Sequence, residues 1–254
     1  MTKQLLIYEN IQPVTSDKHR TLAVKVDSYD FTAEMTSIPV LATEIPFASA
    51  DYPVIFSAPN KDGEHTPLAI TGVQQGENLM LDAQGNFEAN YIPAFVRRYP
   101  FVFASIPDSK DMTLCLDESS KTLITDGSDG RRLFDDNGEQ TDHLKEVMNF
   151  LQDYQYRAEM TRVFCKKLAE LDLLEPMQAN IEFKNNADAN MSIKGFYTVK
   201  REKLKELSDE QALDLFKKDG LELIYAHLQS LGNLNNLIER KTAKLNQRST
   251  AENA

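Results

Sequence analysis

The sequence predicts an α+β protein in which a β-rich N-terminal half packs against a mainly helical C-terminal half. Up to about residue 140, short apolar stretches alternate with turn-forming residues, a pattern typical of strands joined by tight connections. From residue 141 onward, apolar residues recur at three- and four-residue steps, a pattern typical of amphipathic helices. Many short strands with turns at regular intervals indicate a strongly bent antiparallel or mixed sheet, or a partial barrel.

The length of the chain bears on its domain organisation. A chain of 254 residues can bury about three quarters of its unfolded surface, which suffices for a large core. We therefore expect a single domain over residues 1–254, with a β-rich sublobe at 1–140 and a helix-rich sublobe at 141–246. The polar residues 247–254 are expected to form a frayed tail.

In the first half, each apolar or alternating stretch is predicted to be a strand. These stretches are residues 5–8, 21–26, 37–43, 53–57, 67–73, 79–81, 87–91, 101–103, 112–116 and 121–124. Gly85 favours a turn at residues 82–85, because glycine tolerates the positive φ that such turns require. Pro93 has no N–H to lose at a helix start and Pro100 disfavours helix before it, which predicts a short helix over residues 93–98.

A long amphipathic helix is predicted to open the second half. Apolar residues recur from Leu144 to Leu171 in the stripe of a helix with one buried face. Thr141 or Asp142 can cap its start, because their side-chain oxygens accept hydrogen bonds from the free N–H groups of a first turn.

Further elements are predicted after this helix. Ser208 and Gln211 have capping-box spacing, which predicts a helix from there to Lys218, with Gly220 as its stop. The other predicted elements of this half are strands over 179–183 and 191–200, a helical turn over 200–206 and a last helix over 221–246.

Two adjacent arginines, Arg97 and Arg98, lie between apolar residues in the short predicted helix. Successive helical residues point about 100° apart, so we expect at least one guanidinium to point inward. A buried guanidinium needs a partner, because an isolated buried charge is costly. We expect an acid to provide it, from the set Glu44, Glu88, Asp117 and Glu118. The functional alternative is that an arginine faces a pocket and binds a carboxylate or phosphate.

The segment that contains these arginines, YIPAFVRRYPF (residues 91–101), resembles a signature of the bacterial SapC family. Family members commonly carry Trp at the position of Phe87. The resemblance implies an association with bacterial surface layers or the cell envelope, and it implies no known catalytic activity. Other similar segments follow the family's order and cover nearly the whole chain, namely SIPVLATEIPFASADYPVIF (37–56), LAITGVQQGENLMLD (68–82), LCLDE (114–118), LFDDNGEQT (133–141) and LIYAHLQSLGNLNNL (223–237).

The motifs of several enzyme classes are missing from the sequence. It has neither G-x-x-x-x-G-K-[ST] nor G-x-G-x-x-G, the glycine-rich loops that cradle nucleotide phosphates. Its four histidines are far apart and its two cysteines are too few for a zinc site, so we expect no metal and no cofactor. His227, in a predicted helix, could exchange protons near neutral pH, but a lone helical histidine is more often a packing residue.

The net charge and the hydropathy of the sequence indicate which partners and which cellular location to expect. The formal charge of −11 argues against nucleic-acid binding, which needs a basic face. No stretch approaches the ~20 apolar residues of a membrane-spanning helix, so no membrane insertion is expected. The N-terminus lacks the features of a secretory signal and the cysteine content suits a reducing compartment, so we expect a cytoplasmic protein, with signal-less secretion left open. The acids between residues 108 and 142 form either a solvated loop face or a docking surface for a basic partner.

These observations favour a non-catalytic binding or accessory protein of surface-layer or cell-envelope biogenesis, with a protein or small-molecule partner of unknown identity. One alternative is an enzyme whose active site is assembled from Arg, Asp or Glu, Tyr and His residues that are distant in the sequence. A second alternative is a structural subunit of the surface layer. The oligomeric state is left open. The candidate ligand-binding or structural ion-pair residues are Tyr91, Arg97, Arg98, Tyr99, Asp117, Glu118 and His227.

Overall fold

The computed structural model describes residues 7–105, 112–181 and 191–252. It confirms the predicted α+β class. The strands run over Ile11–Pro13 (β1), Ala23–Val24 (β2), Ser37–Pro39 (β3), Val54–Ser57 (β4), Pro67–Ile70 (β5), Phe101–Ser105 (β6), Met112–Asp117 (β7), Leu123–Ile124 (β8), Arg131–Arg132 (β9), Leu174–Ile181 (β10) and Met191–Val199 (β11). The α-helices run over Ser16–His19 (α1), Ile45–Ala48 (α2), Ala94–Arg97 (α3), Asp142–Glu170 (α4), Arg201–Lys205 (α5), Asp209–Lys217 (α6), Gly220–Ser230 (α7) and Leu234–Glu252 (α8). Short 3-10 turns cover Asp30–Thr32, Ala42–Glu44 and Leu231–Asn233.

The chain divides into two compact units, and each unit is built from two separate segments. The first unit consists of Met1–Thr32 and Ala94–Tyr156, and the second of Ala33–Pro93 and Arg157–Ala254. The boundary in the second half of the chain falls within α4. The division therefore does not follow the order of the chain.

Two small antiparallel sheets form the β-structure of the first unit. One sheet has the strand order β1-β7-β6 and the other has the order β8-β2-β9. Burial of apolar side chains from these strands and from α4 supplies the main stabilising contribution to this unit. One core cluster of the unit consists of Leu22, Val24, Phe101, Leu116, Leu133, Phe134, Leu144 and Leu151.

The second unit contains a five-stranded antiparallel sheet. Its strand order is β10-β11-β4-β5-β3, so a strand from the second half of the chain lies beside strands of the first half. Apolar clusters of the described residues stabilise the unit. One is built around Ile45, Tyr52, Val54 and Leu237, and another around Phe56, Leu168, Leu173 and Ile224.

The sequence predicts a bent sheet or partial barrel but does not predict how the strands are divided among sheets. The described strands form three separate sheets, and two of them belong to the first unit. Strand β9, at Arg131–Arg132, is not predicted from the sequence, because two arginines show no apolar alternation. Of the predicted strand at 5–8, residues 7 and 8 are not in a strand, and residues 5 and 6 lie outside the described ranges.

Residues 79–81 and 87–91 are predicted to be strands but form only one isolated bridge, between Leu81 and Phe87. The alternation behind the prediction is present, because odd-numbered residues of 87–91 are partly buried and even-numbered ones are exposed. The Asp51 carboxylate accepts hydrogen bonds from the backbone N–H groups of residues 90 and 91. Those groups are therefore not free to pair with another strand, and the strand prediction is wrong there.

The predicted turn at residues 82–85 is confirmed. Gly85 has a φ of +79°, which glycine adopts without strain. The Asp82 carboxylate accepts hydrogen bonds from the backbone N–H groups of Gln84 and Asn86, both at 2.8 Å. This Asx-type arrangement holds the turn.

The long helix of the second half is confirmed as α4. Its start is fixed by Thr141, whose hydroxyl oxygen accepts a hydrogen bond from the Leu144 N–H at 3.3 Å. The same hydroxyl donates to the carbonyl oxygen of Arg132 at 2.7 Å. The cap therefore also joins the helix to β9. The capping box of Ser208 and Gln211 at the start of α6 is confirmed as well.

The predicted last helix over 221–246 is wrong, because the segment forms α7 and α8 with a 3-10 turn between them. The Ser230 hydroxyl accepts a hydrogen bond from the Val54 N–H at 2.9 Å. The Asn233 side-chain amide donates to the carbonyl oxygen of Ser49 at 2.7 Å. These polar contacts with the backbone of distant residues fix the turn where the apolar periodicity alone indicates continuous helix.

The two ends of this C-terminal region also differ from the prediction. Gly220 is the first residue of α7 rather than a stop after α6, and the left-handed residue between the helices is Asp219, with a φ of +57°. Helix α8 runs to Glu252, past the point where the sequence predicts a frayed tail.

Candidate functional site

The two arginines lie at the end of α3, in the first unit. The Arg98 N–H donates to the Ala94 carbonyl oxygen at 3.0 Å and so closes the helical turn. Since successive residues of a turn point in different directions, Arg97 is exposed whereas Arg98 is buried, with 7% of its surface accessible. The Arg97 guanidinium carbon lies 5.3 Å from the centre of the Phe150 ring.

Aromatic rings surround the Arg98 guanidinium. Its central carbon lies 4.5 Å from the ring centre of Phe95, 4.7 Å from that of Tyr154 and 5.7 Å from that of Tyr8. Each ring face attracts the positive charge. Among the described residues, no carboxylate forms an ion pair with Arg98, and its buried Nε has no hydrogen-bond acceptor. We refer to Arg98, Tyr8, Phe95 and Tyr154 as the Arg98 cluster.

Tyr99 and Asp117 are in contact in the first unit. The Tyr99 hydroxyl donates to the Asp117 carboxylate at 3.4 Å, and burial raises the pKa of this hydroxyl. Asp117 is 1% exposed and also accepts hydrogen bonds from the N–H groups of Glu9 at 2.9 Å, Asn10 at 3.0 Å and Ser119 at 3.0 Å. These backbone donors occupy the carboxylate, which therefore fixes the segment before β1 to the end of β7.

Glu118, the next residue, forms contacts with α1. It makes an ion pair with Lys18 and lies 3.2 Å from the Nε2 atom of His19. The hydrogen bond from Lys18 is the main reason that the pKa of the Glu118 carboxyl is lowered. The Nδ1 atom of His19 accepts from the Thr15 N–H at 3.1 Å, so Nε2 carries the proton and donates to Glu118.

The other two acids expected to pair with the arginines have partners within the second unit. The Glu44 carboxylate accepts hydrogen bonds from the Tyr91 hydroxyl at 2.5 Å and from the Leu41 N–H at 2.7 Å. Glu88 forms an ion pair with Arg240 at 2.6 Å. The buried Arg98 guanidinium is thus stabilised by rings rather than by the predicted acids.

Tyr91 is a residue of the second unit and has an extensive set of contacts. Besides donating to Glu44, it accepts a hydrogen bond from the Tyr52 hydroxyl at its carbonyl oxygen, at 2.6 Å. Its ring stacks on that of Phe47, with the centres 5.7 Å apart. Its N–H donates to Asp51 at 3.0 Å. Tyr91 therefore joins the loop after the 82–85 turn to the region around α2.

His227 lies in the interior of the second unit, on α7. Its Nε2 atom accepts a hydrogen bond from the Val199 N–H at 3.0 Å, and its Nδ1–H donates to the Val54 carbonyl oxygen at 2.8 Å. Both contacts require the neutral ring, and burial lowers its pKa to about 4. The side chain thereby joins α7 to β4 and β11.

Five of the seven candidate residues belong to the first unit, and the other two belong to the second unit. Arg98 and Tyr99 both contact Tyr8, since the rings of Tyr8 and Tyr99 meet edge to face at 5.3 Å. Asp117 and Glu118 belong to the same unit, whereas Tyr91 and His227 belong to the other. Sequence reasoning did not identify Tyr8 and Tyr154 as neighbours of Arg98, because they come from distant parts of the chain and share no motif with it.

Comparisons with known proteins are consistent with the resemblance noted in the sequence. The model of the SapC family matches residues 14–237, a range that includes all of the candidate residues. No curated protein matches the chain, and no solved structure does. None of the described helices has both the length and the apolar composition to cross a membrane. Within the described ranges, no group of three or more His, Cys, Asp and Glu side chains is arranged to hold a metal ion.

Proposed function

Because the chain belongs to the SapC family, we propose that it is a non-catalytic binding or accessory protein of bacterial surface-layer or cell-envelope biogenesis. It acts in the cytoplasm on a protein or small-molecule partner. The link to the cell envelope rests on what the family resemblance implies. The non-catalytic part rests on the contacts of the candidate residues.

The observation that carries the non-catalytic part is the environment of His227. A catalytic acid or base must come within hydrogen-bond distance of the substrate proton that it transfers. The His227 ring is fully buried, and backbone groups of Val199 and Val54 occupy both of its nitrogens. Asp117 is occupied in the same way by backbone N–H groups. The groups with the most obvious acid–base chemistry therefore hold the fold together.

The cysteines support the same assignment. Cys115 and Cys165 are both buried and unpaired. Burial raises the pKa of both thiols, that of Cys165 to about 12. A thiol with a raised pKa is a poor nucleophile, because the thiolate is the reactive form. Two unpaired, buried thiols also fit a reducing compartment, which supports a cytoplasmic site of action.

Capture of the partner tests the proposal. An affinity-tagged chain, crosslinked in its native host, is expected to recover a defined protein or glycan precursor of the cell envelope. The purified partner should then bind the purified chain saturably. The variant Arg162→Lys serves as the positive control, because Arg162 is an exposed residue of α4. Recovery of no component that binds saturably would contradict the proposal.

Turnover assays address the enzyme alternative. The purified chain is incubated with fractionated host metabolites, and NMR spectra follow their conversion. We expect no conversion above that of a heat-unfolded sample. Conversion that the folded chain catalyses would overturn the non-catalytic assignment. Assembly of the purified chain into ordered lattices would instead favour a structural surface-layer subunit.

A further inference from the structure

We propose that the Arg98 cluster is a binding site for an oxyanion, the carboxylate or phosphate group of a ligand, with the Arg98 guanidinium as the recognition group. This site would be where the proposed binding protein holds its partner, so its biological role rests on the proposed function. It adds a location and a ligand chemistry that the family resemblance does not supply.

The first argument is the unbalanced charge of Arg98. A guanidinium stays protonated at any pH at which the protein is folded. Arg98 is 7% exposed, so this charge has lost most of its hydration. The rings of Phe95, Tyr154 and Tyr8 attract the charge, and the Tyr8 hydroxyl oxygen accepts a hydrogen bond from the guanidinium. The charge is therefore partly stabilised, while the buried Nε–H has no acceptor among the described residues.

The second argument is a comparison with Arg132 in the same unit. Both side chains have a buried Nε without a hydrogen-bond acceptor. The terminal nitrogens of Arg132, however, pair with the Asp136 carboxylate at 2.7 Å and with the Arg20 carbonyl oxygen at 3.2 Å. Among the described residues, Arg98 pairs with no carboxylate, and the Tyr8 hydroxyl accepts a hydrogen bond from it instead. A buried Nε is thus common to both, and the missing carboxylate distinguishes Arg98.

The third argument is that nearby acids have other roles. Asp117, which contacts Tyr99, is occupied by three backbone N–H groups. Glu118 pairs with Lys18 and His19. Rotation of either acid toward Arg98 would break these contacts and leave buried donors unsatisfied. An external anion can satisfy Arg98 without that loss.

The chemistry of the group selects the ligand class. The planar fork of N–H groups matches two oxygens of a carboxylate or phosphate, and it matches a spherical ion such as chloride poorly. The chain as a whole carries a formal charge of −11, which repels anions in general. Anion binding at Arg98 therefore has to be local and saturable rather than a diffuse attraction to a basic surface.

An NMR titration of the Arg98 side chain tests the inference directly. The Nε–Hε signals of the 15N-labelled chain are assigned by through-bond experiments and followed during addition of inorganic phosphate, acetate or sodium chloride at matched ionic strength. We expect the Arg98 signal to shift saturably with phosphate or with acetate, and the ion that saturates at the lower concentration identifies the preferred group. A shift no larger than that produced by chloride would overturn the inference.

Paired variants show whether the fork itself is required. Arg98→Lys keeps the positive charge but removes the planar donors, so affinity for the preferred anion should fall at least about tenfold. Arg162→Lys is the matched control, because Arg162 is an exposed arginine paired with Glu159. Equal affinities of the two variants would contradict the inference. If Arg98→Lys does not fold, the titration of the wild-type chain decides the matter alone.

The two experiments separate the site from the proposed function. A chain that binds phosphate or acetate at Arg98 but captures no envelope component retains the site and loses the proposed role. If the Arg98→Lys variant captures the partner as well as the wild type does, and the Arg98 signal of the wild type does not shift, the proposed role stands and the site is lost.

Discussion

The Tyr91 hydroxyl donates a hydrogen bond of 2.5 Å to the carboxylate of Glu44, a residue that is only 4% exposed. The contact connects the 3-10 turn before α2 to a loop that contains no strand. Its two residues are separated by a long stretch of sequence, so it stabilises the tertiary structure of the second unit rather than a local turn.

Tyr91→Phe is expected to lower the free energy of unfolding by about 1–3 kcal/mol, because the buried Glu44 carboxylate then loses a donor. Urea denaturation measures the change. Tyr156→Phe is the control, since Tyr156 is 68% exposed and the loss of its hydroxyl should cost less than about 0.5 kcal/mol. Equal losses for the two variants would show that the contact with Glu44 contributes nothing.

The neutral, buried ring of His227 should make the stability depend on pH. Burial lowers the pKa of His227 from 6.5 to about 4. Between these values the unfolded chain binds a proton that the folded chain does not, so this contribution is complete above pH 6.5 and is lost as the pH falls toward 4. The loss amounts to about 3 kcal/mol. Urea denaturation at a series of pH values across this range measures it.

Two variants separate the contribution of His227 from the other contributions to the pH dependence of the unfolding free energy. His227→Gln removes the titrating group, so its contribution to the pH dependence should disappear. Leu228→Ala also destabilises α7 but leaves His227 in place, so the unfolding free energy should keep its dependence on pH. Parallel curves for the wild type and His227→Gln would contradict the assignment.

Asp117→Asn is expected to destabilise the first unit by about 1–3 kcal/mol. The amide replaces one accepting oxygen with an N–H₂ group, which cannot accept the hydrogen bond from a backbone N–H of the segment before β1. Thermal and urea denaturation measure the effect. Asp27→Asn is the control in the same unit, because the Asp27 side chain is largely exposed. A loss no greater than that of the control would rule out the anchoring role of Asp117.

Thr141→Ala should lower the stability of the first unit by about 1 kcal/mol, because it removes the cap of α4. Thr141→Ser keeps the hydroxyl that accepts from Leu144 and donates to Arg132. Its stability should therefore lie close to that of the wild type. Coincident denaturation curves of the two variants would show that the hydroxyl at this position does not stabilise the unit.

The sequence predicts the parts of the fold that depend on local contacts. The start and length of α4 follow from an apolar stripe and a capping threonine, and the 82–85 turn follows from Gly85 and its neighbours. Strand order does not follow in this way. Strand β11 lies between β10 and β4, and that placement depends on packing of side chains far apart in the chain.

The candidate site shows the same limit. Two adjacent arginines among aromatic residues indicate that one of them is buried, and Arg98 is buried in the structure. Whether an acid can pair with Arg98 depends on which other groups already bind that acid in the folded chain. Backbone N–H groups occupy Asp117, and a tyrosine hydroxyl occupies Glu44. No feature of the sequence indicates such competition for a carboxylate.

The interleaving of the two units constrains how the chain reaches its native state during synthesis. Residues 33–93 leave the ribosome before the second segment of the first unit, yet their own unit needs strands and helices made last. Neither unit can be complete until the polypeptide has passed residue 156, and a fragment cut at the middle of the chain lacks part of both. A nascent chain stalled before residue 156 should therefore expose apolar surface to chaperones.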